Sequence, residues 1–267
     1  MASFRYGGHV RANGIRQHYL RYGGRGRPLI VVPGITSPAI TWGFVGERLG
    51  EDHDVYVLDL RGRGLSEAGP GLEYTLEDYA ADVAGFVTVL GLKEVTVVGH
   101  SMGGRIAVRL GRRFPGNLAR LVIVDPPLSG PGRRPYVRPL EFYLGPIAQA
   151  KRGLLDVDAV RKTYPNWSEE NLRLRAEWLH TCDDKAIAES VRGFQEEEVH
   201  GDLAALRMPT LLVVAGKGGV ILSEDIAEVR ALAPGIAVKT VEHTGHMIPF
   251  DDLEAFFDAL KDFLADG

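Results

Sequence analysis

One cysteine, Cys182, is all the chain has, so no intrachain disulfide can brace it. That scarcity fits a reducing compartment. No apolar run reaches the roughly 20 residues that a membrane-spanning helix needs. The first residues, Met1-Ala2-Ser3-Phe4-Arg5-Tyr6, carry no apolar core of a secretory signal. Both absences point to a cytoplasmic protein with no membrane partner. A dominant charge is lacking too: 31 Lys and Arg face 35 Asp and Glu, a net charge of -4. The arginines are scattered rather than blocked, so nothing in the balance favours nucleic acid. The histidines are dispersed. His243 and His246 lie three apart without a third ligand nearby, and no metal is expected. Internal repeats and low-complexity tracts are absent.

What is present is ordinary in bulk and specific in pattern. The 267 residues are 45% hydrophobic and 25% charged, enough for one α/β domain with an insertion and a sizeable core. Short apolar runs at 29–32, 55–58, 95–98, 121–124, 210–214 and 237–241 read as strands. Helical patterns at 76–90, 105–114, 223–232 and 251–264 lie between and after them. Residues 9–12 and 15–22 read as a hairpin turning at Asn13-Gly14. Thr75 and Asp78 form a capping-box start for the helix that follows. This alternation predicts a mostly parallel sheet with helices on both faces. After Asp125 the rhythm breaks. Ser129-Gly130-Pro131-Gly132 reads as a stiff hinge, and the chain from about Tyr136 to Ala205 is helical and aromatic, with no strand. The expected organisation is a core of residues 1–127 and 206–267 with a helical cap at 128–205.

The most informative stretch is Gly99-His100-Ser101-Met102-Gly103. A β-branched run leads into it and a helical pattern leads out. A serine between a strand and a helix, with glycine two residues away on each side, is the signature of a nucleophile elbow. The turn is sharp, and bulky neighbours would clash across it.

Pro33-Gly34, Asp59-x-Arg61-Gly62-x-Gly64-x-Ser66, the elbow and Gly245-His246 together resemble the α/β-hydrolase superfamily over the whole chain. Its fold, a mostly parallel sheet with helices on both faces and a helical cap insertion, is the one expected. The resemblance implies an activated serine, with acid and base later in the chain. His246 is the expected base, in a loop after the last strand; His243 is its competitor. His100 reads as a packing or hydrogen-bonding residue. The acid is less obvious. Most members carry it after the strand that is 211–214 here, but this chain reads Ala215-Gly216-Lys217-Gly218-Gly219-Val220. Glu224 and Asp225, the next acids, read as first-turn residues of a helix. Asp125, ending the strand beside the nucleophile strand, is the alternative and the expected acid. The backbone N–H groups of Ile35 and Met102 are the expected oxyanion donors. Pro33 stands where many members have histidine. The Asp59–Ser66 loop reads as architecture rather than chemistry, and it lacks the Lys-Ser/Thr ending of a phosphate loop.

Stretches 12–24, 34–42, 129–134, 175–182, 214–221 and 245–249 carry a closer resemblance. Within the superfamily they are similar to deformylating amidases of aerobic bacterial nicotinate breakdown. The likeness implies a Ser101–His246–Asp125 triad cleaving a formyl C–N bond, with no metal or organic cofactor. The partner implied is a small anionic substrate. Arg133, Arg134, Tyr136, Arg138, Trp178 and His180 form an aromatic and cationic set in the cap that suits such a ligand. Arg134, Trp178 and His180 are the expected substrate contacts. A carboxylesterase or lactonase with the same triad is the alternative, and a non-catalytic binding protein on the same fold is a third. Dehalogenase and epoxide hydrolase chemistry are disfavoured, because both need a carboxylate where Ser101 stands. The oligomeric state is open.

Overall fold

A computed structural model describes residues 3–265. Met1 and Ala2, the start of the segment read as lacking a secretory signal, lie outside them. Eight strands form one sheet: β1 (Phe4–Ala12), β2 (Ile15–Gly23), β3 (Pro28–Val32), β4 (Asp54–Leu58), β5 (Val95–His100), β6 (Leu118–Val124), β7 (Thr210–Ala215) and β8 (Ala237–Val241). Their spatial order is β1-β2-β4-β3-β5-β6-β7-β8. β1 and β2 form the hairpin read at Asn13-Gly14, and both turn residues take positive φ, 47° and 78°. β2 pairs antiparallel with β4, and every later pairing is parallel. β1 begins well before residue 9, where the sequence places its start. Gly7 and Gly8 are poor strand formers, but Gly8 lies under the Tyr19 ring, where a Cβ would come within 3.0 Å of Cζ.

Eleven α-helices are present among the described residues. α1 (Gly43–Leu49), α2 (Leu76–Val89) and α3 (Met102–Arg113) connect the first strands. α4 (Glu141–Lys151), α5 (Val157–Thr163), α6 (Glu169–Trp178), α7 (Asp184–Glu196) and α8 (His200–Ala204) all fall between β6 and β7. α9 (Ser223–Leu232) links β7 to β8, and α10 (Ile248–Asp251) and α11 (Leu253–Ala265) end the chain. Local chemistry marks many of the starts. Thr75 and Asp78 form a reciprocal capping box, and the side chains of Asp156, Ser168 and Asp183 accept the N–H of Ala159, Asn171 and Ala186.

The central strands are buried on both faces, which is why they read as continuous apolar runs. Successive residues alternate between two cores. Ile30, Val32 and Val97 pack with Phe86 of α2 and Ile106 of α3. Val31 and Val98 pack with Leu49 of α1 and Phe256 of α11. Strand order reverses at β3: the chain leaves it for β4 on one side and returns to β5 on the other. In such sheets the crevice beyond the carboxyl ends of the strands, at the reversal point, is where ligands bind. The loop Pro33-Gly34 and the residue Ser101 lie at that point.

Candidate active site

Only one residue separates β5 from α3, and it is Ser101. Its backbone takes φ 55° and ψ -118°, a conformation disfavoured for a residue with a Cβ. Its N–H extends the sheet ladder by one bond, to Val124 O at 2.8 Å, before the chain turns. Surrounding glycines make room. A Cβ at Gly103 would collide with the Val32 carbonyl oxygen, and one at Gly104 would meet Pro126 Cβ at 3.0 Å. These glycines also explain why the helix starts at Met102 rather than near Arg105, where the sequence pattern begins. Close packing demands residues whose helix propensity is poor.

Asp125 repeats the device on the next strand. It follows β6, takes φ 42°, and its N–H donates to Val213 O at 2.8 Å. Its side chain is fully buried. His246 reaches both residues from the loop after β8. Its Nδ1 is 2.7 Å from Asp125 Oδ2, and its Nε2 is 3.0 Å from Ser101 Oγ. Asp125 Oδ2 also accepts the Val220 N–H at 3.0 Å. With the carboxylate as acceptor, Nδ1 carries the imidazole proton and Nε2 is left to accept from the serine hydroxyl. Such a relay can deprotonate the serine as it attacks. His243, the competing base, is exposed, whereas Ser101 is buried.

The loop after β7 has no acid because it serves a carboxylate from elsewhere. Residues 215–220 wrap around Asp125, and Val220 donates to it. Gly219 lies so close that a Cβ there would sit 2.8 and 2.9 Å from the two carboxylate oxygens. Gly219→Ala is therefore expected to displace the carboxylate. Turnover should fall on the order of 10²-fold, as for a misplacement of about 1 Å in a reacting constellation. The check is kcat against melting temperature: a large loss of kcat with little loss of stability is the expected pair.

His100 is buried and supports the base. Its Nε2 donates to the His246 carbonyl at 2.8 Å, and its ring packs between Trp42 and His246. Burial, reinforced by the neighbouring His246, lowers its pKa to about 3. It therefore stays neutral, and its role is to hold the His246 loop, in line with its reading from sequence.

Gly34 brings the loop after β3 against the elbow: a Cβ there would lie 3.5 Å from Ser101 Cβ. Ile35, which follows, and Ser101 both line one small cavity of about 120 Å³. Met102 N–H opens α3 beside the serine. Two arginines grip this loop. The buried Arg63 donates from Nε to Ile35 O at 2.8 Å, and from Nη2 to Ser190 Oγ of α7 at 2.9 Å. Arg175 of α6 donates to Thr36 O at 2.6 Å and to Thr36 Oγ1 at 3.0 Å. Sequence reasoning missed both. Arg63 stands at an unspecified position of the Asp59–Ser66 motif, and Arg175 looks like one more helix-surface charge. The rest of that motif is architecture, as expected. Asp59 accepts from Ala39 N–H and Leu65 N–H, and Arg61 pairs with Asp82 through two bonds of 2.6 Å.

The segment between β6 and β7 lines the cavity with Phe142 and Tyr143 of α4, with Tyr136 and Arg138 from the stretch before it, and with Tyr164 and Trp167 from the connection between α5 and α6. The three expected substrate contacts need correction. Arg134 is drawn away by Asp225 Oδ2 at 2.5 Å and Val220 O at 2.6 Å, so its guanidinium serves the loop that wraps Asp125. Trp178 and His180 do not line the cavity. They fall at the end of α6 and in the turn after it, beyond the point where Arg175 meets Thr36. His180 is exposed, its Nδ1 2.7 Å from Glu177 O. Asp225, the competing acid, is engaged by Arg134 and the Leu222 N–H rather than by a histidine. Arg133, also in the cationic set, pairs with Glu228. Among the described residues no group of three or more His, Cys, Asp or Glu could hold a metal ion, and no helix is long and apolar enough to cross a membrane.

A strained serine at the strand-to-helix turn, at the reversal point of a doubly wound sheet, is how hydrolases of this architecture present a nucleophile. The chain belongs to the alpha/beta hydrolase family, whose model matches residues 29–259. Over 264 residues it is 56% identical to an N-formylmaleamate deformylase of Pseudomonas putida, covering 99% of this chain and 98% of the relative. A crystal structure of an N-formylmaleamic acid deformylase from Pseudomonas putida S16, solved as a serine-to-alanine variant, superposes with a TM-score of 0.91. It is 48% identical, covering 96% of this chain and all of that one. A 2-(acetamidomethylene)succinate hydrolase of Mesorhizobium japonicum is 25% identical over 92% of this chain and 90% of its own.

Proposed function

We propose that this protein is a serine hydrolase that cleaves the formyl C–N bond of N-formylmaleamate, giving maleamate and formate. The observation that carries the reading is the 56% identity to a deformylase over nearly all of both chains. The hydrogen-bonded series Ser101–His246–Asp125 supports it chemically.

In this reading Ser101 Oγ attacks the formyl carbon, the least hindered carbonyl, as His246 Nε2 takes its proton. The tetrahedral oxyanion lies against the N–H groups of Ile35 and Met102. His246 then protonates the departing nitrogen. That nitrogen belongs to a second amide and leaves more readily than an alkylamine. Maleamate departs and a formyl ester remains on Ser101. Water, deprotonated by His246, attacks the ester carbon. Collapse releases formate and returns the proton to Ser101. Asp125 keeps Nδ1 protonated throughout and offsets the charge of the imidazolium. The chemistry draws on no metal or organic cofactor. Residues 128–205 act as a cap over the serine, the substrate is a small anion, and the reaction belongs to cytoplasmic nicotinate breakdown.

The test is formate release from N-formylmaleamate, measured beside hydrolysis of short p-nitrophenyl esters. Formate formed stoichiometrically with maleamate, at a kcat/KM well above that for the esters, is the expected result. Fast ester hydrolysis without formate would make the protein an esterase or lactonase on the same triad.

A further inference from the structure

The cavity above Ser101 is unbalanced in charge. Its lining includes two arginines, Arg138 and Arg175, and no aspartate or glutamate. Arg175 is committed to Thr36 through both terminal nitrogens. Arg138 differs. It forms no ion pair among the described residues, it is exposed, and its guanidinium lies over the Phe142 ring, 4.7 Å from the centroid. A guanidinium on an aromatic face keeps its in-plane N–H edge open, the edge that meets a carboxylate through two parallel bonds.

Beside it, Tyr136 and Tyr143 place their hydroxyl oxygens 2.5 Å apart. Both are buried and both line the cavity. One hydroxyl donates to the other, so the accepting hydroxyl has a proton left to give. Burial raises both phenols above their ordinary pKa, with the Arg138 charge acting against the shift, so both stay protonated donors at neutral pH.

We propose that Arg138 is the carboxylate anchor of this cavity. Its guanidinium, with the spare O–H of the Tyr136–Tyr143 pair, holds the anionic end of an acyl substrate whose reacting carbonyl lies at Ser101. The inference rests on the deformylase reading for the identity of that acid, but the cation and the donor pair apply to any short acyl group ending in a carboxylate. Arg138 touches the far end of the substrate and not the reacting carbon. Its contribution is therefore made equally in ground and transition states, and its loss appears in KM.

The experiment uses Arg138→Gln and Arg138→Lys with three substrates: N-formylmaleamate, the p-nitrophenyl monoester of succinic acid, and p-nitrophenyl butyrate. For Arg138→Gln, KM for N-formylmaleamate should rise about 10- to 100-fold, the worth of a charged hydrogen-bonded contact, while kcat moves less than about threefold. The kcat/KM ratio of the succinate ester to the butyrate ester should fall by a similar factor. Arg138→Lys should recover part of it, because the charge returns without the fork. Added salt should raise KM for the anionic ester more in the wild type than in Arg138→Gln. Melting temperatures of both variants establish that they fold. A wild-type ester ratio in Arg138→Gln, or equal losses on both esters, would overturn the proposal. If the wild type releases no formate, the deformylase reading fails, while the ester pair still decides the role of Arg138.

Discussion

Ser101→Ala should lower formate release by about 10⁶-fold, the loss seen when the nucleophile of a serine triad is removed. The fold should survive. Alanine fits the space of a buried serine, and the strained turn is held by its surroundings: the bond from residue 101 N–H to Val124 O, and the glycines at 99, 103 and 104. Substrate should still bind, because Ile35, Arg138 and the tyrosine pair are untouched. The expected signature is a protein that melts near the wild-type temperature and shows heat of N-formylmaleamate binding in calorimetry, yet gives no formate in a single-turnover assay. Residual turnover within about tenfold of wild type would mean that water, not Ser101, attacks the substrate; removing a true nucleophile cannot leave so much.

Asp125→Asn carries the second largest expected effect, about 10⁴-fold in kcat. The site supplies the reason. Val220 N–H points at Oδ2 and Ala215 N–H, at 3.4 Å, faces Oδ1. An asparagine there must turn its carbonyl oxygen to one of these donors. Satisfying Val220 keeps an acceptor for His246 Nδ1–H on the same oxygen, but the negative charge that offsets the imidazolium is lost and the amide NH₂ faces Ala215 N–H. Satisfying Ala215 turns the NH₂ toward Val220 and His246 Nδ1. In that orientation the NH₂ donates to Nδ1, the imidazole proton moves to Nε2, and the base can no longer accept from Ser101. The loss should appear in kcat with KM little changed. Asp225→Asn is the control. It replaces a buried carboxylate that meets Arg134 and the Leu222 N–H, contacts that an amide oxygen can still accept and that involve neither Ser101 nor His246. Activity within a few-fold of wild type is expected. A crippled Asp225→Asn beside an active Asp125→Asn would assign the acid to α9 instead.

The different legibility of the site residues has physical causes. Ser101 is legible because its constraint is local. A strained turn between strand and helix forces glycine at fixed offsets, and that spacing survives in the linear text. His246 is nearly as plain, since it follows the last strand and needs only to fold over the same sheet edge. Asp125 is legible by elimination, as a strand-end acid once the loop at 215–220 proves to hold none. What the text conceals is that this loop is the acid's cradle. The cradle is made of backbone N–H groups and the bare Cα of Gly219, and neither has a side-chain signature. Arg63 and Arg175 are hidden for a related reason: their partners are the carbonyls of Ile35 and Thr36, which any residue would present.

The cationic set between β6 and β7 shows the limit most clearly. Composition identifies arginines and aromatics suited to an anion, but each arginine's partner depends on elements far away in the chain. Arg134 and Asp225 are 91 residues apart, and Arg175 and Thr36 are 139 apart. A long flexible side chain takes whichever acceptor packing brings within reach, and no local pattern encodes that choice. By itself the sequence determined the alternating sheet and the elbow and put forward Ser101 and His246 as nucleophile and base, because short-range steric and hydrophobic rules write those features into a few adjacent residues. Only the tertiary structure decided how the acid is held, which arginines are spent on the scaffold, and that Arg138 is left facing the cavity, because those outcomes are set by distances between segments that share no local sequence.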